Sequence, residues 1–404
     1  MKRRELVKKL TVLPASGVLL GSAVPLGSMM HSCSPQNTKR DLFKELGIPT
    51  FINCIGTVTA LSGCIMQNEV LDAIMASSQE YCLLDDVQDK VGEKIAKMVH
   101  AEAATVTAGC WSAMILGTAG VLTGMDNDKV AQLPNLEGMK SEIITQKTHN
   151  HTYIKAVKNT GVTIIEIETV EELEKAISEK TAMMFFLNYA APKGKIQHEE
   201  WVALGKKHNI PTMIDMAADV PPVENLWKYN DMGFDLVCIS GGKGLRGPQS
   251  AGILMGKKDL IAAARLSAPP RGGLGRGMKV NKEEIIGMYV ALEKYINTDH
   301  DKEWKMWDER ISTIETAAKE VAGIETNVTV PAIANHTPVL SISWDDTKVK
   351  LTGEEMVKAL INGDPAIKVG GGKNAISVAP WMMLPGQEKL VAVRIKEELI
   401  KVSS

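Results

Sequence analysis

Past residue 67 the chain alternates two hydrophobic patterns. Stretches such as "NEVLDAIMASSQEY" (68–81) and "VQDKVGEKIAKMVHA" (87–101) repeat apolar residues at helical spacing. Short runs rich in β-branched and aromatic residues follow, "AATVT" (103–107), "SEIITQ", "VTIIEIE", "TAMMFFLNY", "IPTMIDMA" and "FDLVCIS", separated by helical segments such as "VEELEKAISEK" and "EEWVALGKKHN". "CWSAMILGTAGVLTG" (110–124) is apolar on every face and predicts a buried helix. Nearly continuous apolar strands separated by helices predict an α/β fold, its mostly parallel sheet covered on both faces. Ligands of such sheets bind beyond the carboxyl ends of the strands.

After residue 280 the pattern changes. Two long amphipathic helices, "KEEIIGMYVALEKYIN" and "DKEWKMWDERISTIETAAKEVAG", precede strands "PVLSISW" and "AISVAP" and helices "GEEMVKALING" and "QEKLVAVRIKEEL". The expected organisation is a large domain over 38–280 with an N-terminal arm, then a linking helix and a smaller α+β domain over 281–404. Residues 1–37 stand apart. A basic head with paired Arg3 and Arg4 leads into an apolar stretch broken by Gly, Ser and Pro, the order of a twin-arginine-like export signal rather than a membrane span. Cys33 is a candidate for lipid modification after cleavage. Export would place the chain in the periplasm or cell envelope of a bacterium; a floppy anchor helix on a cytoplasmic protein is the alternative.

Composition narrows the class. With 404 residues, 45% of them hydrophobic, and a net charge of −2, the chain has the make-up of a globular enzyme, and without a basic stretch interleaved with aromatics nucleic acid is not an expected partner. The six cysteines form no CxxC pair and lie at no zinc spacing to histidine, so no metal is expected.

The candidate chemistry lies at the predicted strand ends. "IPTMIDMAADVPP" carries Asp215 near the carboxyl end of an apolar strand, where a lone carboxylate is costly unless it meets a cation. "FDLVCISGGKG" brings Lys243 to the end of a later strand, among glycines that let the backbone approach a ligand. "TVTAGCWSA" passes from strand to helix through Gly109 and Cys110, leaving free N–H groups for an anion, and "TQKTHNHTY" puts His149 just past another strand. Singly each is ordinary: a turn lysine, a helix cap, a surface histidine, a tight turn. Together they match the needs of pyridoxal 5′-phosphate: an amine for the aldehyde, a carboxylate for the ring nitrogen, a phosphate cup that Ser240 would complete, and a flat group beside the ring.

These segments also carry a family resemblance. "INCIGTVTALSG", "VGEKIAKMVHAEAATVTAG", "DMAADVPPVENLWKYNDMGFDLVCISGGKGLRGPQSAGIL" and "GRGMKVNKEEIIGMYVALEKY" resemble the pyridoxal-phosphate family that contains bacterial L-seryl-tRNA(Sec) selenium transferase and D-glucosaminate-6-phosphate ammonia-lyase. The likeness runs from about residue 45 to 400 and implies the aspartate-aminotransferase-like fold (fold type I) with a seven-stranded-type sheet. It also implies a homodimer or larger homo-oligomer with sites near the subunit interface. It makes Lys243 the Schiff-base lysine, Asp215 the partner of the ring nitrogen and His149 the ring-stacking residue. Arg276 and Lys279 become phosphate or substrate contacts, supplied in part by a neighbouring subunit. The sequence departs from the family at "AGCWSA", where relatives carry small residues. No arginine stands between Arg310 and Arg394, so substrate anions are left to Arg246, Arg271, Arg276, lysines or backbone amides.

The expected reaction is α,β-elimination, with dehydration and deamination of a small β-hydroxy amino acid or amino-sugar acid. The alternatives are β-replacement of the selenium transferase type, another carbanion reaction (transaminase, aldolase, racemase), or a cofactor-binding module without turnover.

Overall fold

The computed structural model describes residues 40–401. The proposed export signal and Cys33 lie outside the described residues. The chain divides into two compact units at Thr50. In the first, the described residues 40–50 carry one short helix, Leu42–Glu45. Everything below concerns the second, Phe51–Ser404.

Its central sheet has seven strands: β1 (Ala103–Thr107), β2 (Glu142–Gln146), β3 (Thr163–Ile167), β4 (Thr181–Leu187), β5 (Thr212–Asp215), β6 (Leu236–Ser240) and β7 (Gly252–Gly256). Their order is β1-β7-β6-β5-β4-β2-β3. All run parallel except β7, which pairs antiparallel with both β1 and β6. Alternate side chains feed two cores. Met184, Phe186, Ile214, Val237 and Ile239 point to one face, and Met183, Phe185, Met213, Leu236 and Cys238 to the other. Burial on both faces is why these strands read as unbroken apolar runs. The apolar "GCWSAMILGTAGVLT" is helix α1 (Gly109–Thr123), almost wholly buried as its sequence predicts.

The outer edge of β1 is closed by a side chain. Gln88, on the helix Leu84–Met98, donates from Nε2 to the Val106 carbonyl at 2.8 Å and accepts from the Val106 N–H at 3.0 Å and the Thr105 hydroxyl at 2.9 Å. Its amide thus takes the place of a neighbouring strand and blunts a pairing edge. Gln88→Ala would leave buried backbone groups without partners and is expected to cost about 1–3 kcal/mol. Denaturant unfolding checks this, and an unchanged midpoint would show that the edge needs no such cover.

Residues after 280 form helices α2 (Lys282–Ile296) and α3 (His300–Lys319) and a second, four-stranded antiparallel sheet. That sheet takes its strands from Ile324–Thr329, Val339–Trp344, Gly370–Gly371 and Ala375–Val378, around a core that includes Leu340, Ile342, Ile376 and Ile395. A capping box of Asn281 and Glu284 starts α2. No helix among the described residues is long and apolar enough to cross a membrane.

Candidate active site

The register of the sheet brings the strand ends together. Ser240 stands opposite Gly252, which stands opposite Thr107 at the end of β1; Asp215 is level with Cys238 and with Leu187. Gly252 leaves no room for a side chain, because a Cβ there would lie 2.6 Å from the Cys110 nitrogen. The N-terminus of α1 therefore sits against the β6–β7 corner. Ala108 precedes α1 with no side-chain cap, and Gly109 adopts a φ of +80°, so the first N–H groups are left for an anion beside Ser240.

Asp215 ends β5 and is 3% exposed. Its Oδ1 accepts from the Ala217 N–H at 2.9 Å and from the Cys110 thiol at 3.4 Å. Burial raises its carboxyl above the usual carboxylate range, opposed by the Ala217 N–H, the charge of Lys243 and the Cys110 thiol. The Cys110 thiol is itself pushed far up, by burial and then by the charge of Asp215, so it stays a donor. A buried carboxyl of this kind favours a cationic partner.

Lys243 lies in the turn after β6, and its glycines are dictated by close approach. A Cβ on Gly242 would sit 2.3 Å from the Gln249 Cα, and one on Gly244 would sit 2.1 Å from the Val220 carbonyl oxygen. The turn is thereby pressed against the segment following Asp215. A cavity of about 250 Å³ opens there, lined by Lys243, Asp215, Asp219, His151, Tyr189 and Asn335 among others. That is a little under the roughly 300–1,000 Å³ of ordinary small-molecule pockets. A lysine amine, a buried carboxyl that favours a cation, flat side chains and an uncapped helix start are the groups that pyridoxal phosphate requires, and the residues fit it.

The remaining candidates are placed differently. His149 is fully buried and does not line the cavity. The strand β2 runs on into a tight turn, Lys147–His149, that tucks the imidazole edge-on against Phe186 (4.5 Å, 84°), its Nδ1 accepting from the Leu187 N–H at 3.2 Å. Burial, then the charge of His198, pushes it down to about 4, so it is neutral near pH 7. The flat groups at the cavity are His151, Tyr153 and Tyr189, with the His151 ring 5.3 Å from Tyr153 and 6.1 Å from Tyr189. Arg246 turns away from the cavity: it donates to the Trp381 carbonyl at 2.7 Å and lies 3.7 Å from Glu303, fastening the lysine turn to the C-terminal residues. Arg271 is paired with Asp85 at 3.1 Å, a carboxylate that Arg265 also holds. Arg276 and Lys279 line another cavity, of about 310 Å³, with Cys82, Pro269 and Lys282. A larger cavity, about 760 Å³ beside β1, contains none of the candidates. Among the described residues no group of His, Cys, Asp and Glu could hold a metal, and Cys54, Cys64, Cys82, Cys110 and Cys238 are free.

Asp219, His151 and the segment at Ala334–Asn335 also line the cavity and are not among the residues that the sequence singles out. Asp219 was legible only as part of a helix-cap stretch, although "DMAAD" sets a second carboxylate four residues past the first. Ala334 and Asn335 have left-handed backbones (φ +56° and +48°), and the Asn335 N–H donates to the Ala218 carbonyl at 2.7 Å, a contact between distant residues with no local signal.

Comparison with known proteins bears on this arrangement. Residues 51–333 match the family described as "SelA: L-seryl-tRNA selenium transferase". A "D-glucosaminate-6-phosphate ammonia lyase" of Salmonella typhimurium is 24% identical over 88% of this chain and 97% of its own. A "5'-C-glycyluridine monooxygenase-decarboxylase" of a Streptomyces species is 23% identical over 89% of this chain and 92% of its own. The solved structure titled "Structure of D-Glucosaminate-6-phosphate Ammonia-lyase" superposes with a TM-score of 0.79 at 23% identity, over 90% of this chain and 99% of that one.

Proposed function

This chain belongs to the SelA (L-seryl-tRNA selenium transferase) family and is a pyridoxal-phosphate-dependent enzyme of the aspartate-aminotransferase-like fold, and from that premise we propose that it is a lyase that removes water and then ammonia from a β-hydroxy amino acid or an amino-sugar acid. The observation that carries this reading is the meeting of Lys243 with buried Asp215 in one small cavity at the strand ends. The choice of elimination rests on the likeness to the Salmonella ammonia lyase along nearly its whole length.

When bound, pyridoxal phosphate supplies an aldehyde that takes up amines and a ring that withdraws electrons from the α-carbon. Lys243 would hold that aldehyde and, once freed by the substrate amine, accept the α-proton at Nζ. Asp215 would hold a proton on the ring nitrogen through its ionised carboxylate. The N–H groups of Gly109 and Cys110, with the Ser240 hydroxyl, would hold the phosphate. His151, Tyr153 and Tyr189 would cover the ring and keep water from it, and His149 would act from behind, supporting the Leu187 backbone.

The same reading gives the chain a second copy as partner and no nucleic acid. Exposed apolar residues on and beside the helix Asn68–Ser78, including Leu71, Met75, Tyr81 and Leu83, support such a contact. Arg276 and Lys279, which stand away from the cavity of their own chain, would serve the site of that copy. Export to the cell envelope is supported by the paired Arg3 and Arg4 and the broken apolar stretch behind them.

The test is a panel of D- and L-β-hydroxy amino acids and aminoaldonates incubated with the cofactor-loaded protein, with ammonia, keto product and carbon dioxide measured together. One member is expected to give ammonia and keto product in equal amounts. Carbon dioxide without ammonia, or an amino group transferred rather than released, would overturn elimination.

A further inference from the structure

Asp219 is the second carboxyl of the cavity, and holding the cofactor gives it no task. It is 2% exposed, lines the cavity with Lys243, and its Oδ1 is buried without a hydrogen-bond partner. Unpartnered buried oxygens are rare in native proteins, and each calls for an explanation. The groups facing Asp219 are Asp215 on β5, Lys243 after β6, Asn188 after β4, the backbone at Ala334, and Tyr229 on the helix Asn225–Met232. Asn188 is itself fixed: its amide donates to the Tyr229 hydroxyl at 2.8 Å, and its carbonyl lies 2.6 Å from the His198 Nε2. Burial, and next the charge of Asp215, pushes Asp219 up to about 7, opposed by a hydrogen bond from the Asn188 side chain, the charge of Lys243 and the backbone at Ala334, which leave only Oδ1 unpartnered. At neutral pH a large share of it carries a proton that it can donate.

We infer that Asp219 is the acid of the elimination, giving its proton to the departing β-hydroxyl while Lys243 takes the α-proton. This rests on the lyase reading above. The Cα–H bond breaks and its proton goes to Lys243 Nζ; the electron pair becomes the second Cα–Cβ bond. The Cβ–O bond breaks with its pair on oxygen, and the Asp219 proton completes a water molecule. Lys243 then holds one proton more and Asp219 one fewer, and transfer from the first to the second restores both. Asp215 is unsuited to this task, since the Ala217 N–H and the Cys110 thiol both occupy its Oδ1 and its charge is needed at the ring nitrogen.

The experiment compares wild type with Asp219→Asn on the panel member that releases ammonia and on its analogue with chlorine in place of the β-hydroxyl. Chloride leaves without a proton. The variant is expected to lose about 10²-fold on the hydroxyl substrate, the usual worth of a general acid, and to keep its rate on the chloride. The wild-type rate on the hydroxyl substrate should fall as pH rises through about 7, and the variant should lack that limb. Equal losses on the two substrates, or none, would overturn the inference. A second readout needs no cofactor or turnover. A carboxyl with a raised folded-state pKa contributes stability that is full below about pH 4 and is lost as pH rises through about 7. Cofactor-free Asp219→Asn should therefore melt above wild type at pH 8.5 and match it near pH 4, and coincident melting at both would count against the buried acid. If wild type releases no ammonia from any panel member, the lyase reading fails, and the melting comparison still reports on Asp219 separately.

Discussion

Replacing Lys243 by Ala is expected to lower turnover by at least about 10⁴-fold, because one side chain both holds the cofactor and moves the α-proton. Lys243→Arg should be as inactive: a guanidinium keeps the positive charge and cannot be deprotonated to attack an aldehyde. The pair separates chemistry from electrostatics. The charge of Lys243 opposes the upward push of burial on both Asp215 and Asp219, so the Ala variant loses that opposition as well as the amine. Borohydride reduction followed by peptide mass mapping checks the attachment. Wild type should carry a pyridoxyl group on the peptide containing Lys243, and neither variant should carry one. A variant with wild-type turnover would leave Lys243 as a turn residue and end the proposed assignment.

The strand-end positions of Lys243 and Asp215 were legible in the sequence because the relevant information is local. Asp215 closes one short apolar run bounded by turn residues and Lys243 follows another by two glycines, and parallel strands of one sheet end on a common edge. The strand β7 was not legible: "GILMG" is short, begins and ends in glycine, and pairs antiparallel between the preceding β6 and the sequence-distant β1. His149 and His151 show the limit most clearly. Two residues apart in "THNHT", they are separated by a single tight turn that buries the first against Phe186 and leaves the second at the cavity. No periodicity of residues chooses between them. Arg246 was misplaced for the same kind of reason, since its left-handed backbone (φ +51°) and the Trp381 carbonyl that receives its guanidinium are both tertiary facts.

The placement of the arginines bears on substrate recognition. Arg246 and Arg271 are engaged elsewhere, and the cavity lining offers Lys243 with His151, two tyrosines and Asn335. On the proposed reading, a substrate carboxylate or phosphate would draw its cation from a second copy, with Arg276 and Lys279 as the residues supplied. The missing arginine between Arg310 and Arg394 then reflects a site that relies on its neighbour rather than on its own C-terminal residues.

Asp215→Asn is expected to lower turnover by about 10³-fold, the upper range for loss of one preorganised charge-stabilising contact, while preserving the fold. The substitution keeps the shape of the side chain, and an amide oxygen can still accept from the Ala217 N–H and the Cys110 thiol. What is lost is the negative charge that would keep the ring nitrogen protonated, so cofactor affinity should fall with the rate. Two further effects follow from the burial of this group. Its carboxyl is raised above the ordinary range, so in the cofactor-free protein it contributes stability at low pH that is lost as pH rises; the variant should melt above wild type at neutral pH and not in acid. Its charge is also one of the causes holding Asp219 at about 7. Without it Asp219 titrates lower, and the alkaline fall in residual activity should begin at a lower pH than in wild type. Rate against pH, cofactor titration and melting curves of the two proteins measure all three. Wild-type turnover and cofactor affinity in the variant would remove Asp215 from the site. Lost activity with the alkaline limb unmoved would keep Asp215 and sever its link to Asp219.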